Sequence, residues 1–66
     1  MNIRVNGEEQ MCDHAMTIAE LLQHLGRTGQ SIAVAVNMDF VPRSAYANTR
    51  IKEGDNIEIV EPRQGG

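Results

Sequence analysis

Residues 16–26 read MTIAELLQHLG and encode one short helix with both of its ends marked. The Thr17 hydroxyl can accept a hydrogen bond in the first turn. Glu20, three residues on, can reach back to the Thr17 backbone, which completes a capping box. Met16 and Leu21 occupy the two positions of a hydrophobic staple. Ile18, Leu21, Leu22 and Leu25 recur at i, i+3, i+4 and i+7 and so share one stripe. Gly26 fits the position after the last turn, where a positive φ stops the helix without steric cost. The spacing predicts a helix over about residues 18–25, and everything around it reads as strand or turn. One helix of this length can cover one face of a sheet and must leave the other open.

The strands are signalled by alternation. In NIRVNGEEQMC, Ile3 and Val5 alternate with polar residues, and Asn6-Gly7 is the strongest short hairpin turn signal because both residues accept positive φ. The second arm, about Glu9 to Cys12, is weaker and short. RTGQS is loop. SIAVAVN is a strand with Ile32, Val34 and Val36 on one face and Ala33 and Ala35 on the other. FVPRS reads as a short edge strand ended by Pro42, which lacks a ladder donor. SAYANTR is irregular or one helical turn, with Ser44 as its expected cap. KEGDN is a turn, and in IEIVE the pair Ile57 and Ile59 points opposite to Glu58 and Val60. The order is β-β-α-β-(β)-turn-β, a mixed sheet of four or five strands with one main helix on one face. The open face is a candidate partner surface.

Composition excludes several classes. Sixty-six residues make one domain at most. The apolar content argues against wholesale disorder. Residues 1–40 hold Arg4 and Arg27 against Glu8, Glu9, Asp13, Glu20 and Asp39, while residues 41–66 are balanced, for a net charge of −3. Without clustered Lys and Arg, nucleic acid is a poor partner. The longest apolar run, IAVAV, is too short for a membrane span, and there is no signal peptide. The single Cys12 cannot form an internal disulfide, which fits a reducing compartment. A cytoplasmic protein, monomeric when free, is the expectation.

The chain finishes EPRQGG. Residues 1–61 are expected to form the folded body and residues 62–66 a flexible tail. Five residues from Pro62 to Gly66 reach roughly 16–18 Å when extended. Gly65 and Gly66 have no side chains, so they can enter a channel too narrow for any other residue. The tip carries the α-carboxylate. Two terminal glycines can also be accidental, since chain ends are commonly frayed.

Taken together, the Asn6-Gly7 hairpin, the capped helix, the VAVN strand, the Glu53-Gly54-Asp55 turn, the IEIV strand and the Gly65-Gly66 end resemble the β-grasp, ubiquitin-like sulfur carriers. The resemblance covers essentially the whole chain. It fits two branches, the ThiS proteins of thiamine biosynthesis and the MoaD-type small subunits of molybdopterin synthase. VNMDFVPRS, residues 36–44, is similar to ThiS in particular. The resemblance implies an α+β, β-grasp fold and a co-substrate in place of an enzyme. A ThiF-like partner would use Mg-ATP to adenylate the Gly66 carboxylate. A cysteine desulfurase or another persulfide source would supply sulfur, and a ThiG-like thiazole synthase would consume the thiocarboxylate. ATP and Mg²⁺ would belong to the partner, because nothing here resembles a phosphate loop or a hard-cation cage. Family members often place Asn-Gly in the second turn, where this chain has Asn37-Met38-Asp39. Methionine does not take positive φ cheaply, so a different turn geometry is expected there.

Other residues receive plainer readings. Arg63 and Val60 are candidate partner contacts, with a solvated charge as the alternative for Arg63. Cys12 lacks a neighbouring cation that would activate a thiol and reads as structural. Cys12 with His14 falls short of a zinc ligand set, so no metal site is expected. His24 near the helix C-terminus is a surface residue favoured by the dipole. Phe40 and Tyr46 are expected at the edge of the core, with a partner surface as the alternative. No carboxylates pair as an acid–base couple, so no catalytic residue is expected. Competing functions are a MoaD-type subunit, a modifier joined through Gly66 to lysines, and an interaction module with an inert tail.

Overall fold

The computed structural model describes residues 1–12, 15–27 and 31–61. Five strands form one mixed sheet: β1 (Asn2–Val5), β2 (Glu8–Met11), β3 (Ala33–Val36), β4 (Asp39–Val41) and β5 (Asn56–Val60), in spatial order β2-β1-β5-β3-β4. The last strand is thus the middle strand. It runs parallel to β1 and antiparallel to β3. One helix, α1 (Ile18–His24), crosses one face, and a 3₁₀ helix (Arg43–Asn48) lies beside it. The arrangement is that of a β-grasp domain.

The local signals explain why the helix sits where it does. The Thr17 N–H donates to Glu20 Oε1 at 2.9 Å and the Glu20 N–H donates to Thr17 Oγ1 at 3.2 Å, so the capping box forms. At the other end Gly26 has φ +72. Its N–H reaches the Gln23 carbonyl at 3.1 Å and the Arg27 N–H reaches the Leu22 carbonyl at 2.8 Å, which is a Schellman stop. Ile18, Leu21 and Leu22 face the sheet and are buried there with Ile3, Val34, Ile57 and Ile59. Each such aliphatic side chain contributes about 1.5–3 kcal/mol by leaving water. Cys12 is buried in this core, as its structural reading requires.

Two expectations need correction. The 3₁₀ helix begins at Arg43, directly after Pro42, and has no side-chain cap hydrogen bond. Ser44 lies inside it and caps nothing, because Pro42 already fixes an extended φ of −68 at the entry. Phe40 is not at the core edge. It is 70% exposed, because it pairs across the strands with Ala35, whose face points away from α1. Tyr46 is at the core edge, with its hydroxyl donating to the Ile32 carbonyl at 3.3 Å.

Candidate functional site

Strand register assigns the residues of the open face. Ala33 pairs with Val60, and Ala35 lies between Glu58 on one side and Phe40 on the other. On the far half of the sheet Arg4 pairs with Glu9 and with Asn56. The face is therefore divided. Its β5-β3-β4 half carries Ala33, Ala35, Phe40 and Val60, with Glu58 at its border. Its β1-β2 half is polar apart from Met11. Val60 is 57% exposed, a large value for a valine in the central strand of a sheet. The two alanines leave the space around Phe40 and Val60 low and flat.

This face is closed off at one end by the β3–β4 turn. Asn37 and Met38 have φ +51 and +74, the left-handed pair of a two-residue hairpin. The expected change of geometry does not occur: the turn keeps the shape that Asn-Gly would give, with methionine in the glycine position. For a residue with a Cβ this conformation costs roughly 1–2 kcal/mol. Asn37 is tied down on both sides. Its Nδ2 donates to Asp55 Oδ1 at 3.0 Å, and its Oδ1 accepts from the Asn56 N–H at 3.0 Å. Asp55, only 8% exposed, also accepts from the Lys52 N–H at 2.7 Å through Oδ2. This carboxylate links the 52–55 turn to the hairpin end. Met38 itself is 83% exposed.

β5 ends at the opposite end. Glu61, the residue after β5, lies 3.6 Å from the Arg27 guanidinium in an exposed ion pair. Pro62, Arg63, Gly65 and Gly66 fall outside the described residues, as does His14. His24 is exposed on α1, and Val60 lies on the open face as its strand alternation predicts. Two surface cavities, each of about 120 Å³, lie away from the apolar half of the face, one between β2 and α1 and one at the polar half beside Asn2, Glu9 and Gly54. Both are smaller than the roughly 300–1,000 Å³ that encloses a drug-sized ligand. Among the described residues no group of three or more His, Cys, Asp or Glu could hold a metal ion. No helix among them is long and apolar enough to cross a membrane.

Residues 3–66 match the ThiS family. The chain belongs to the ThiS family. ThiS proteins are sulfur carriers of thiamine biosynthesis, and this chain is one of them. It is 32% identical to the sulfur carrier protein ThiS of Escherichia coli over 66 residues, which is all of both chains. It is 39% identical to a thiazole synthase of Paramagnetospirillum magneticum, of whose length it spans only 20%. The crystal structure of a ThiS from Geobacter metallireducens superimposes with a TM-score of 0.87 at 30% identity, covering all of both chains. The ThiS fold thus accounts for the sheet order, the single helix and the open face.

Sequence reasoning missed the exposed position of Phe40 and the role of Asp55. The register that turns Phe40 outward is set by the two-residue Asn37-Met38 turn, so the turn was the signal. For Asp55 the only local hint is an acidic residue directly after a turn glycine.

Proposed function

We propose that the Gly66 carboxylate is the group on which this ThiS protein carries sulfur. The observation that carries this reading is the end-to-end correspondence with the Escherichia coli sulfur carrier, in which both chains are matched over their full length. A free carboxylate is a poor electrophile because its charge is delocalised and it has no leaving group. Attack of its oxygen on the α-phosphorus of ATP expels pyrophosphate and gives an acyl adenylate. The terminal sulfur of a persulfide then attacks the carbonyl carbon and expels AMP. Cleavage of the resulting S–S bond by a thiol leaves the thiocarboxylate on Gly66, with a disulfide as the oxidised product. The thiocarboxylate is a good sulfur nucleophile.

In this reading the chain is a co-substrate. A ThiF-like adenylating enzyme holds ATP and Mg²⁺, and a cysteine desulfurase or another source provides the persulfide. Thiazole synthase is the consumer, and a protein bearing that name contains a counterpart of this chain within its own sequence. Joining two such partners in one polypeptide raises their effective concentration. Docking uses the apolar half of the open face, with Val60 at one end of it and Arg63 as a tail contact. Gly65 and Gly66 give the tip access to a narrow channel.

The test is a mass measurement. Incubation with a ThiF-like enzyme, Mg-ATP and a persulfide donor is expected to exchange one oxygen for one sulfur at Gly66. Removal of Gly65 and Gly66 abolishes the change. An unaltered mass with the adenylating enzyme active on another carrier would sink the proposal, and Gly-Gly remnants on lysines of other proteins would point to a modifier.

A further inference from the structure

Among the described residues, Met38 stands apart from every other held at positive φ. The glycines at 7, 26 and 54 take that conformation freely, and Asn6 and Asn37 both repay it with side-chain hydrogen bonds. Met38 has φ +74, is 83% exposed and is absent from the hydrophobics that pack on the core. The folded domain therefore carries the strain and obtains no packing from the side chain. Strain retained without structural return marks a position used for something else.

Its place in the sheet indicates the use. Because β5 runs antiparallel to β3, Asn37 lies beside Asn56 and Val60 lies beside Ala33. Met38 and Val60 are thus at opposite ends of the apolar half of the open face, with Phe40 between their registers. Strand rise puts the two ends about 15 Å apart. Five residues follow Glu61, so an enzyme that holds the Gly66 carboxylate in its active site has to approach within roughly 16–18 Å of the end of β5. An enzyme body that close lies against the domain. A contact at Val60 alone lets the domain pivot about its tail, whereas a second apolar contact at the far end fixes its orientation. Methionine suits such a contact, being unbranched, polarisable and adaptable.

We infer that Met38 is an anchor for the enzyme that adenylates Gly66, kept in a glycine-favouring conformation because its side chain fills an apolar pocket of that enzyme. The inference rests on Gly66 being an adenylation substrate. The complementary surface is apolar, with a basic group placed to meet Glu58.

The experiment compares the unmodified chain with Met38→Gly and Met38→Leu, in thermal unfolding and in pyrophosphate release by a ThiF-like enzyme with the carrier varied. Met38→Gly is expected to raise the melting midpoint by about 4 °C. It also raises KM for the carrier about tenfold, with the loss in KM and not in kcat. Met38→Leu keeps a near-native KM and gains no stability. An unchanged KM for Met38→Gly, a midpoint that does not rise, a Met38→Leu chain as weak as the glycine variant, or a loss confined to thiazole synthase overturns the inference. The two readings fail differently. If the unmodified chain is not adenylated, the function proposed for Gly66 fails and takes this inference with it. If it is adenylated and Met38→Gly performs equally, only the anchor fails.

Discussion

The two hairpins of the sheet reach the same turn geometry with different residues. β1–β2 turns through Asn6 and Gly7 at φ +52 and +85, and β3–β4 turns through Asn37 and Met38 at φ +51 and +74. The first positions are alike in more than identity. Asn6 donates its backbone N–H to the Ile57 carbonyl at 2.9 Å and accepts the Ile59 N–H through Oδ1 at 2.8 Å. Asn37 donates its backbone N–H to the Asn56 carbonyl at 2.8 Å and accepts the Asn56 N–H through Oδ1 at 3.0 Å. Each hairpin is thus fastened to β5 by an asparagine, one at either side of the central strand. The second positions differ: glycine meets the backbone requirement for nothing, and methionine meets it under strain. The first position of each turn answers to the fold. The second position of the β3–β4 turn does not.

The largest expected effect tests the equivalence of the asparagines. Asn6→Ala and Asn37→Ala each place an ordinary residue in the left-handed region and remove an acceptor from a β5 N–H. Each is expected to lower stability by about 2 kcal/mol in urea unfolding. That is a large share of the roughly 3–10 kcal/mol available to a chain of this size. If one of the pair were neutral, the two turns would not be doing the same thing. A smaller effect is expected from Gly7→Met, which gives the first turn the composition of the second. A Cβ at Gly7 meets nothing within 4 Å, so the cost is the backbone strain alone, about 1–2 kcal/mol by the same measurement. The smallest effect belongs to the exchange of both, Gly7→Met with Met38→Gly. The two positions share no partner, so the terms add and the unfolding free energy stays within about 0.5 kcal/mol of the unmodified chain. A large net loss would show that the second turn prefers methionine for a reason internal to the fold.

Sequence signals were legible where the cause is local. The capping box, the Schellman glycine and the Asn6-Gly7 turn depend on residues within one turn of each other, and all three form. The alternation of Ile32, Val34 and Val36 against Ala33 and Ala35 was legible too, because side-chain direction in a strand has a fixed period. The parallel pairing of β1 with β5 was not, since nothing near Arg4 or Val5 encodes a neighbour some fifty positions away. Phe40 shows how one unread turn propagates. A two-residue turn sets it opposite Ala35, and a one-residue shift would have sent it into the core. Asp55 was unreadable for the same reason, because its partner Asn37 arrives from another hairpin. Of the candidate site, Val60 on the open face follows from alternation, whereas Met38 looked like a disturbance of the turn and proved to be a retained strain.

The central strand is the last of the five in chain order, and this governs how the domain assembles. Synthesis runs from β1 towards β5, and until Asn56–Val60 emerge the two hairpins have no common neighbour to join them. A nascent chain interrupted before that point holds the halves of a sheet with their inner edges bare, a substrate for proteases in place of a carrier. A product cut short before Asn56 is therefore removed by its own inability to assemble.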